Sequence, residues 1–212
     1  MKSPFLPSLL VAFGALAAIL HAESVPLFDG KSLEGWEGDT KKMWRVEEGA
    51  VVGGSLTEKV PHNDFLATKK AFKDFELRLK VKLTGTDGFI NSGIQVRSVR
   101  VPNSHEMSGY QIDVGDGWWG KIYDESRRNK VIAEPKDSAA VNSAIKKNDW
   151  NEYRIRCEGP RIQVWINGVP GAEYTEADAK IPLEGHIGLQ VHGGGKALVQ
   201  FKEIAIEELP AK

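Results

Sequence analysis

FELRLKVKL, residues 75–83, alternates without a break. Phe75, Leu77, Leu79, Val81 and Leu83 fall on one side, and Glu76, Arg78, Lys80 and Lys82 on the other. A period of two over nine residues predicts a strand with one face in a core and one in water. The same rhythm recurs along the chain. SGIQVRS (92–98) sets Ile94 and Val96 against Gln95 and Arg97, and YQIDVG (110–115) sets Tyr110, Ile112 and Val114 against Gln111 and Asp113. YRIRC (153–157) and IQVWI (162–166) repeat it before Asn167-Gly168, a two-residue hairpin signal. HIGLQVHGG (186–194) and QFKEIAIEEL (200–209) add two more strands. Helical signals are confined to DSAAVNSAIKK (137–147) and TEADAK (175–180), each a turn or a short helix. Ten or more short strands with Gly-rich turns predict an all-β sandwich of two antiparallel sheets.

The N-terminus stands apart. One Lys, an apolar run and small residues near Ala22 make the three-part layout of a secretory signal peptide, with an apolar core short for a membrane span; an uncleaved membrane anchor is the alternative. Cleavage is expected after Ala22, with Ala17 as the alternative. Residues 1–22 are thus a signal peptide and residues 23–212 one exported domain, secreted or periplasmic, with no membrane attachment after cleavage. No repeat or linker divides it. The net charge is −1 and the pI about 6.5, which gives no basic excess and no reason to expect nucleic acid. The single cysteine, Cys157, is in phase with Tyr153 and Ile155 and reads as a buried core thiol rather than a nucleophile.

Three outward faces depart from the usual Lys, Glu and Thr: Gln95 with Arg97, Gln111 with Asp113, and Gln190 with His192. Directional hydrogen-bonding groups of this kind suit a polyhydroxylated ligand, provided the three strands are neighbours. GDGWWG (115–120) leaves the Asp113 strand as a loop carrying Trp118 and Trp119, where an indole can stack on a sugar ring while the other packs over the sandwich edge. The strand after it brings Tyr123, Asp124 and Glu125 within reach, with Arg127 and Arg128 either paired to those carboxylates or in solvent. Asp113, Asp124, Glu125 and His192 could ligate a cation, but no metal-binding spacing is present, so the metal stays unknown. HExxH, GxSxG, CxxC and phosphate-loop motifs are absent, and their chemistries lack support.

Ten segments in order carry a family resemblance: LFDGKSLEGWEG (27–38), WRVEEGAVVGG (44–54), FLATKKAFKDFELRLKVKL (65–83), NSGIQVRS (91–98), GYQIDVGD (109–116), GKIYDESRR (120–128), WNEYRIRCEG (150–159), WINGV (165–169), GHIGLQVHGGG (185–195) and VQFKEIAIEEL (199–209). From about Val25 to Leu209 the chain resembles the 3-keto-disaccharide hydrolase family. The resemblance implies a concanavalin A-like jelly roll, a sugar on the concave sheet, and exported enzymes acting on glycosides oxidised at C3. The family pattern falls on Glu76, Arg78, Asn91, Gln95, Arg97, Tyr110, Gln111, Asp113, Tyr123, Asp124, Glu125, Gln190 and His192. Many relatives carry a second acid where this chain has Lys80, which puts a transferred acid pair in doubt.

A C3 ketone acidifies the C2 hydrogen, so a base can remove it, the C1 substituent can leave, and water can add back. The expected roles are His192 or Asp113 as base, Arg97 at the enolate oxygen with or without a divalent cation, and Glu125 or Tyr123 at the leaving group. Two other readings remain open: ordinary two-carboxylate glycoside hydrolysis by Asp113 with Glu125, and a non-catalytic secreted carbohydrate-binding domain. All three share a carbohydrate partner.

Overall fold

The structure is a computed structural model that describes residues 23–210; the expected signal peptide lies outside the described residues. Short strands open the chain: β1 (Val25–Pro26), β2 (Trp36–Glu37), β3 (Trp44–Glu47), β4 (Ala50–Gly54) and β5 (Asp64–Thr68). Longer ones follow in β6 (Phe75–Gly88), β7 (Ser92–Arg100) and β8 (Met107–Val114), then β9 (Ile122–Glu125) and β10 (Lys130–Ala133). After helix α1 (Ser138–Ala144) come β11 (Asn151–Glu158), β12 (Arg161–Ile166), β13 (Val169–Thr175), β14 (His186–Val191) and β15 (Gly195–Glu208).

Two antiparallel sheets stack face to face. The eight-stranded sheet runs β13-β12-β11-β6-β15-β4-β3 with β1 against β15, and the seven-stranded sheet runs β10-β9-β8-β7-β14-β5-β2. This is the all-β sandwich expected from the alternation, in the concanavalin A-like form that the family resemblance implied. The inward faces supply the core: Phe75, Leu77, Leu79 and Val81 from β6, Ile94 and Val96 from β7, and Tyr110, Ile112 and Val114 from β8 are all buried. Each such apolar side chain withdrawn from water stabilises the fold by roughly 1.5–3 kcal/mol before entropy is counted. Cys157 is buried among them, and burial pushes its thiol up to about 12, so it is an inert core group.

Local signals account for the connections. Asn167 (φ 50°) and Gly168 (φ 82°) both take left-handed backbone, the geometry of the tight hairpin joining β12 to β13. Helix α1 starts where Asp137 accepts the backbone N–H of Ala140 at 2.8 Å, a side-chain cap for an otherwise orphaned donor. TEADAK forms no helix; its Glu176 is held by Tyr110 and Arg128 instead.

One consequence positions the site. The three strands with polar outward faces, β8, β7 and β14, are consecutive in the seven-stranded sheet. Gln111 lies directly opposite Gln95, and Gln190 directly opposite Gly93. The polar faces therefore form one floor.

Candidate functional site

A cavity of about 150 Å³ sits over this floor, on the face turned away from the core. Strand β8 contributes Gln111 and Asp113, and β9, paired to it with Tyr123 opposite Gln111, contributes Tyr123 and Glu125. Asn91 enters just before β7 and His192 just after β14, so the cavity spans the width of four neighbouring strands. An arc of rings walls it. His192 meets the Phe89 ring at 4.7 Å, Phe89 meets Trp118 at 6.5 Å, and Trp118 meets Tyr123 at 6.4 Å, each pair edge to face.

Beneath the rings runs a hydrogen-bonded chain. Gln95 Nε2 donates to Gln111 Oε1 at 3.1 Å, and Gln111 Nε2 donates to Asp113 Oδ1 at 2.9 Å. The Ser98 hydroxyl closes the far end on Gln95 Oε1 at 2.5 Å. Gly93 makes room for this chain: a Cβ there would lie 2.4 Å from the carboxamide carbon of Gln111. One carboxylate oxygen of Asp113 is thereby fixed, while Oδ2 is buried and unbonded. Gln190, also fully buried on the floor, has both amide atoms unpaired.

Burial raises the Asp113 carboxyl to about 7; the neighbouring Glu125 charge adds to the effect, and the Gln111 hydrogen bond and Lys121 oppose it. Glu125 is likewise raised to about 7, first by burial and then by the Glu106 carboxylate. Both acids are part-protonated at neutral pH, where each can give or take a proton. The His192 ring is oriented by Nδ1, 2.7 Å from the Gly193 carbonyl. A carbonyl only accepts, so Nδ1 carries the hydrogen, and in the neutral ring Nε2 keeps a lone pair.

Raised acids also cost stability. Asp113 holds its proton to about pH 7 in the native state but sheds it near 3.8 when unfolded. Its contribution is thus greatest below pH 4 and falls as pH rises to 7. Asp113→Asn removes the ionisation, so the variant is expected to match the wild type near pH 4 and exceed it at pH 8 by on the order of 2–4 kcal/mol. Denaturant unfolding at the two pH values measures this, and an equal gain at both would refute the burial account of Asp113.

Several expected site residues lie elsewhere. Arg97 does not meet Asp113 and His192. A β-bulge interrupts the pairing between Val96 and Val99, Arg97 takes left-handed backbone (φ 49°), and the alternation inverts. Its side chain, 0% exposed, points to the far end of the sandwich and binds the Lys73 and Gly159 carbonyls and Asp74. Ser98 takes the floor position in its place. Glu76 and Arg78 belong to β6 in the opposite sheet and pair with each other on its outer surface. Tyr110 is a core residue whose hydroxyl donates to Glu176 at 2.6 Å. Asp124 is buried on the face opposite Glu125, between Arg127 and Arg128 at 2.8 and 3.0 Å. Trp119 packs on the core and donates to Asp116, leaving Trp118 as the indole of the cavity.

Two lining residues escaped the sequence reading. Phe89, 44% exposed in a Gly-flanked turn, carried a signal, since a large apolar side chain stranded in a turn marks a contact surface. Asn63, whose Oδ1 accepts the Gly193 N–H at 3.0 Å, carried none. Among the described residues no three His, Cys, Asp or Glu side chains are grouped to hold a metal ion, and Asp124 is committed to arginines on the wrong face. The four residues that could have ligated a cation therefore do not converge as a site for one.

Comparison with known proteins gives the same fold. No curated protein matches the chain. Two solved structures of Parabacteroides distasonis ATCC 8503 proteins, both with provisional glycosyl-hydrolase assignments, superpose on it. One has TM-score 0.63 and 20% identity over 88% of this chain and 94% of that one. The other has TM-score 0.61 and 24% identity over 88% and 100%. The carbohydrate-binding module CBM66 of Bacillus subtilis superposes with TM-score 0.59 and 17% identity, over 82% of this chain and 96% of its own. At these identities the likeness is one of fold. In sequence, the 3-keto-alpha-glucoside-1,2-lyase-like domain matches residues 23–207, and the chain belongs to that family.

Proposed function

We propose that this protein is an exported enzyme that cleaves 3-keto-glycosides by removing the C2 proton, eliminating the C1 substituent and hydrating the product. The observation that carries the reading is one cavity holding a histidine with a free Nε2 beside two carboxyl groups poised at about 7.

His192 Nε2 takes the proton from C2, and the C–H electron pair enters an enolate delocalised onto the C3 oxygen. Protonated Asp113, through the otherwise unbonded Oδ2, donates to that oxygen; a neutral carboxylic acid in a dry site is a strong donor. Asn63 adds a second donor, because its Oδ1 is occupied by Gly193 and its Nδ2 is free for the ligand. As the ketone re-forms, the C1–O bond breaks and Glu125 protonates the departing oxygen. Water then adds at C1 of the enone, giving its proton to Glu125, and His192 returns a proton to C2. Trp118 and Phe89 cover the ring and exclude bulk water.

Turnover of a 3-keto-glucoside in D2O tests the scheme. The free 3-keto sugar is expected to carry deuterium at C2, and the unoxidised glucoside is expected to survive. Cleavage of the unoxidised glucoside without exchange would establish direct two-carboxylate hydrolysis instead. Calorimetric binding with no product would make the domain a carbohydrate-binding one.

A further inference from the structure

The outer surface of the eight-stranded sheet, on the side of the molecule opposite the cavity, bears charges in an unusual order. Arg154 of β11 stands directly opposite Arg78 of β6. In the adjoining row Lys202 of β15 stands directly opposite Lys80 of β6. Like charges facing each other across paired strands, with Cβ atoms about 4.5–5.5 Å apart, destabilise a sheet. Two such pairs occur side by side. The nearby carboxylates are shared thinly: Glu203 serves both Lys80, at 2.6 Å, and Lys202, at 3.9 Å. Glu76 pairs with Arg78 and lies 3.6 Å from each of Arg154 and Arg156. Glu152 faces Lys80 from β11.

Two indoles lie under these cations. The ammonium groups of Lys202 and Lys82 sit 4.3 and 5.1 Å from the centre of the Trp150 ring. The Arg154 guanidinium lies 3.6 Å above Trp165, a contact that uses its face and turns its N–H edges outward, with one of them 3.6 Å from Glu76. Trp150 precedes Arg154 by four residues, about 14 Å along an extended strand. A cleft of about 540 Å³ opens beside Trp150, with Lys80, Lys146 and Lys202 in its lining. Asp149 and Glu152 are also there, but Asp149 accepts the Trp150 backbone N–H at 2.7 Å.

We infer that this face is a second carbohydrate site, binding an acidic polysaccharide of the uronate class. Sugar carboxylates engage Lys80, Lys202 and Arg154, and a pyranose ring lies on Trp150 once the anion draws the ammonium groups off its face. The two like-charged pairs, which cost the empty sheet stability, gain their counter-ions from the ligand. The other polyanions fit less well. The chain has a net charge of −1 and lacks the general positive field that gathers nucleic acid. The indoles lie half-buried beneath the cations and offer a membrane no protruding apolar anchor.

Electrophoresis of the full chain through gels containing polygalacturonate tests the inference. Retardation is expected in polygalacturonate and not in hydroxyethylcellulose, and is expected to fade with added salt. The double variant Lys80→Gln/Lys202→Gln should bind at least tenfold more weakly while remaining folded, because the lost surface ion pairs to Glu203 are worth little and are offset by the lost repulsion. His192→Ala should be retarded like the wild type, which separates this site from the cleavage reading. Wild-type migration unaffected by polygalacturonate, or equal retardation of the double variant, would overturn it. Equal binding to oligothymidylate or phosphatidylserine vesicles would overturn it as well, reducing the face to a general anion trap.

Discussion

His192→Ala is expected to lower the turnover of a 3-keto-glucoside by about 10²–10⁴-fold, the usual worth of a positioned general base. The imidazole lies at the cavity rim, touches Phe89 at 4.7 Å and is tied only through Nδ1 to the adjacent Gly193 carbonyl. Removing it leaves no buried polar partner stranded, so stability should change little. The loss should fall on the chemical step, and deuterium entry at C2 should fall in parallel with product. A variant that retains wild-type turnover and exchange would shift the base to Asp113, whose carboxyl is raised to about 7. Measuring both rates on one sample separates a lost base from a misfolded cavity.

Arg97→Ala is expected to act in the opposite way, destabilising the fold by about 3–5 kcal/mol while leaving the remaining folded molecules active. The guanidinium is wholly buried. It donates to the Lys73 carbonyl at 2.8 Å, the Gly159 carbonyl at 2.6 Å and Asp74 at 2.9 Å, and Asp74 also accepts the Gly159 N–H at 2.8 Å. One side chain of the seven-stranded sheet thus ties down the segment before β6 and the turn after β11 in the opposite sheet. Truncation strands a carboxylate and two carbonyls, each costly when unpaired. Lysine cannot reproduce three donors in a plane, so Arg97→Lys should recover only part of the loss. Urea unfolding gives the stability, and turnover normalised to folded protein gives the activity. Intact stability with a hundredfold slower reaction would return Arg97 to the chemistry.

The contrast between these two residues marks how far the sequence could be read. Strand alternation was legible because a sandwich imposes it: Phe75, Leu77, Leu79 and Val81, and Ile112 with Val114, are buried as their period requires. The same period located Gln111 and Asp113; the strand after the loop offered Tyr123, Asp124 and Glu125 alike, and the structure keeps Tyr123 and Glu125 in the cavity and turns Asp124 to the other face. Alternation carries no information about which of two sheets a strand joins, and Glu76 and Arg78 entered the expected site only through the family resemblance, from a strand that lies in the opposite sheet. Nor does it survive a bulge, and the residue-97 backbone turned a floor position into a buried tie. Tyr110 was in phase with the core all along; only the family resemblance had set it in the site. Asn63 enters from a loop, where neither period nor motif marks a position.

The bare backbone at Gly93 has an evolutionary consequence. No functional group resides there, yet a methyl would collide with Gln111, detach it from Asp113 and release the oxygen that decides which way the acid points. The rim aromatics Phe89 and Trp118 take no part in that contact and can change without breaking it. A drift away from glycine at the centre of the floor forfeits the aimed carboxyl first, whatever the rim has become.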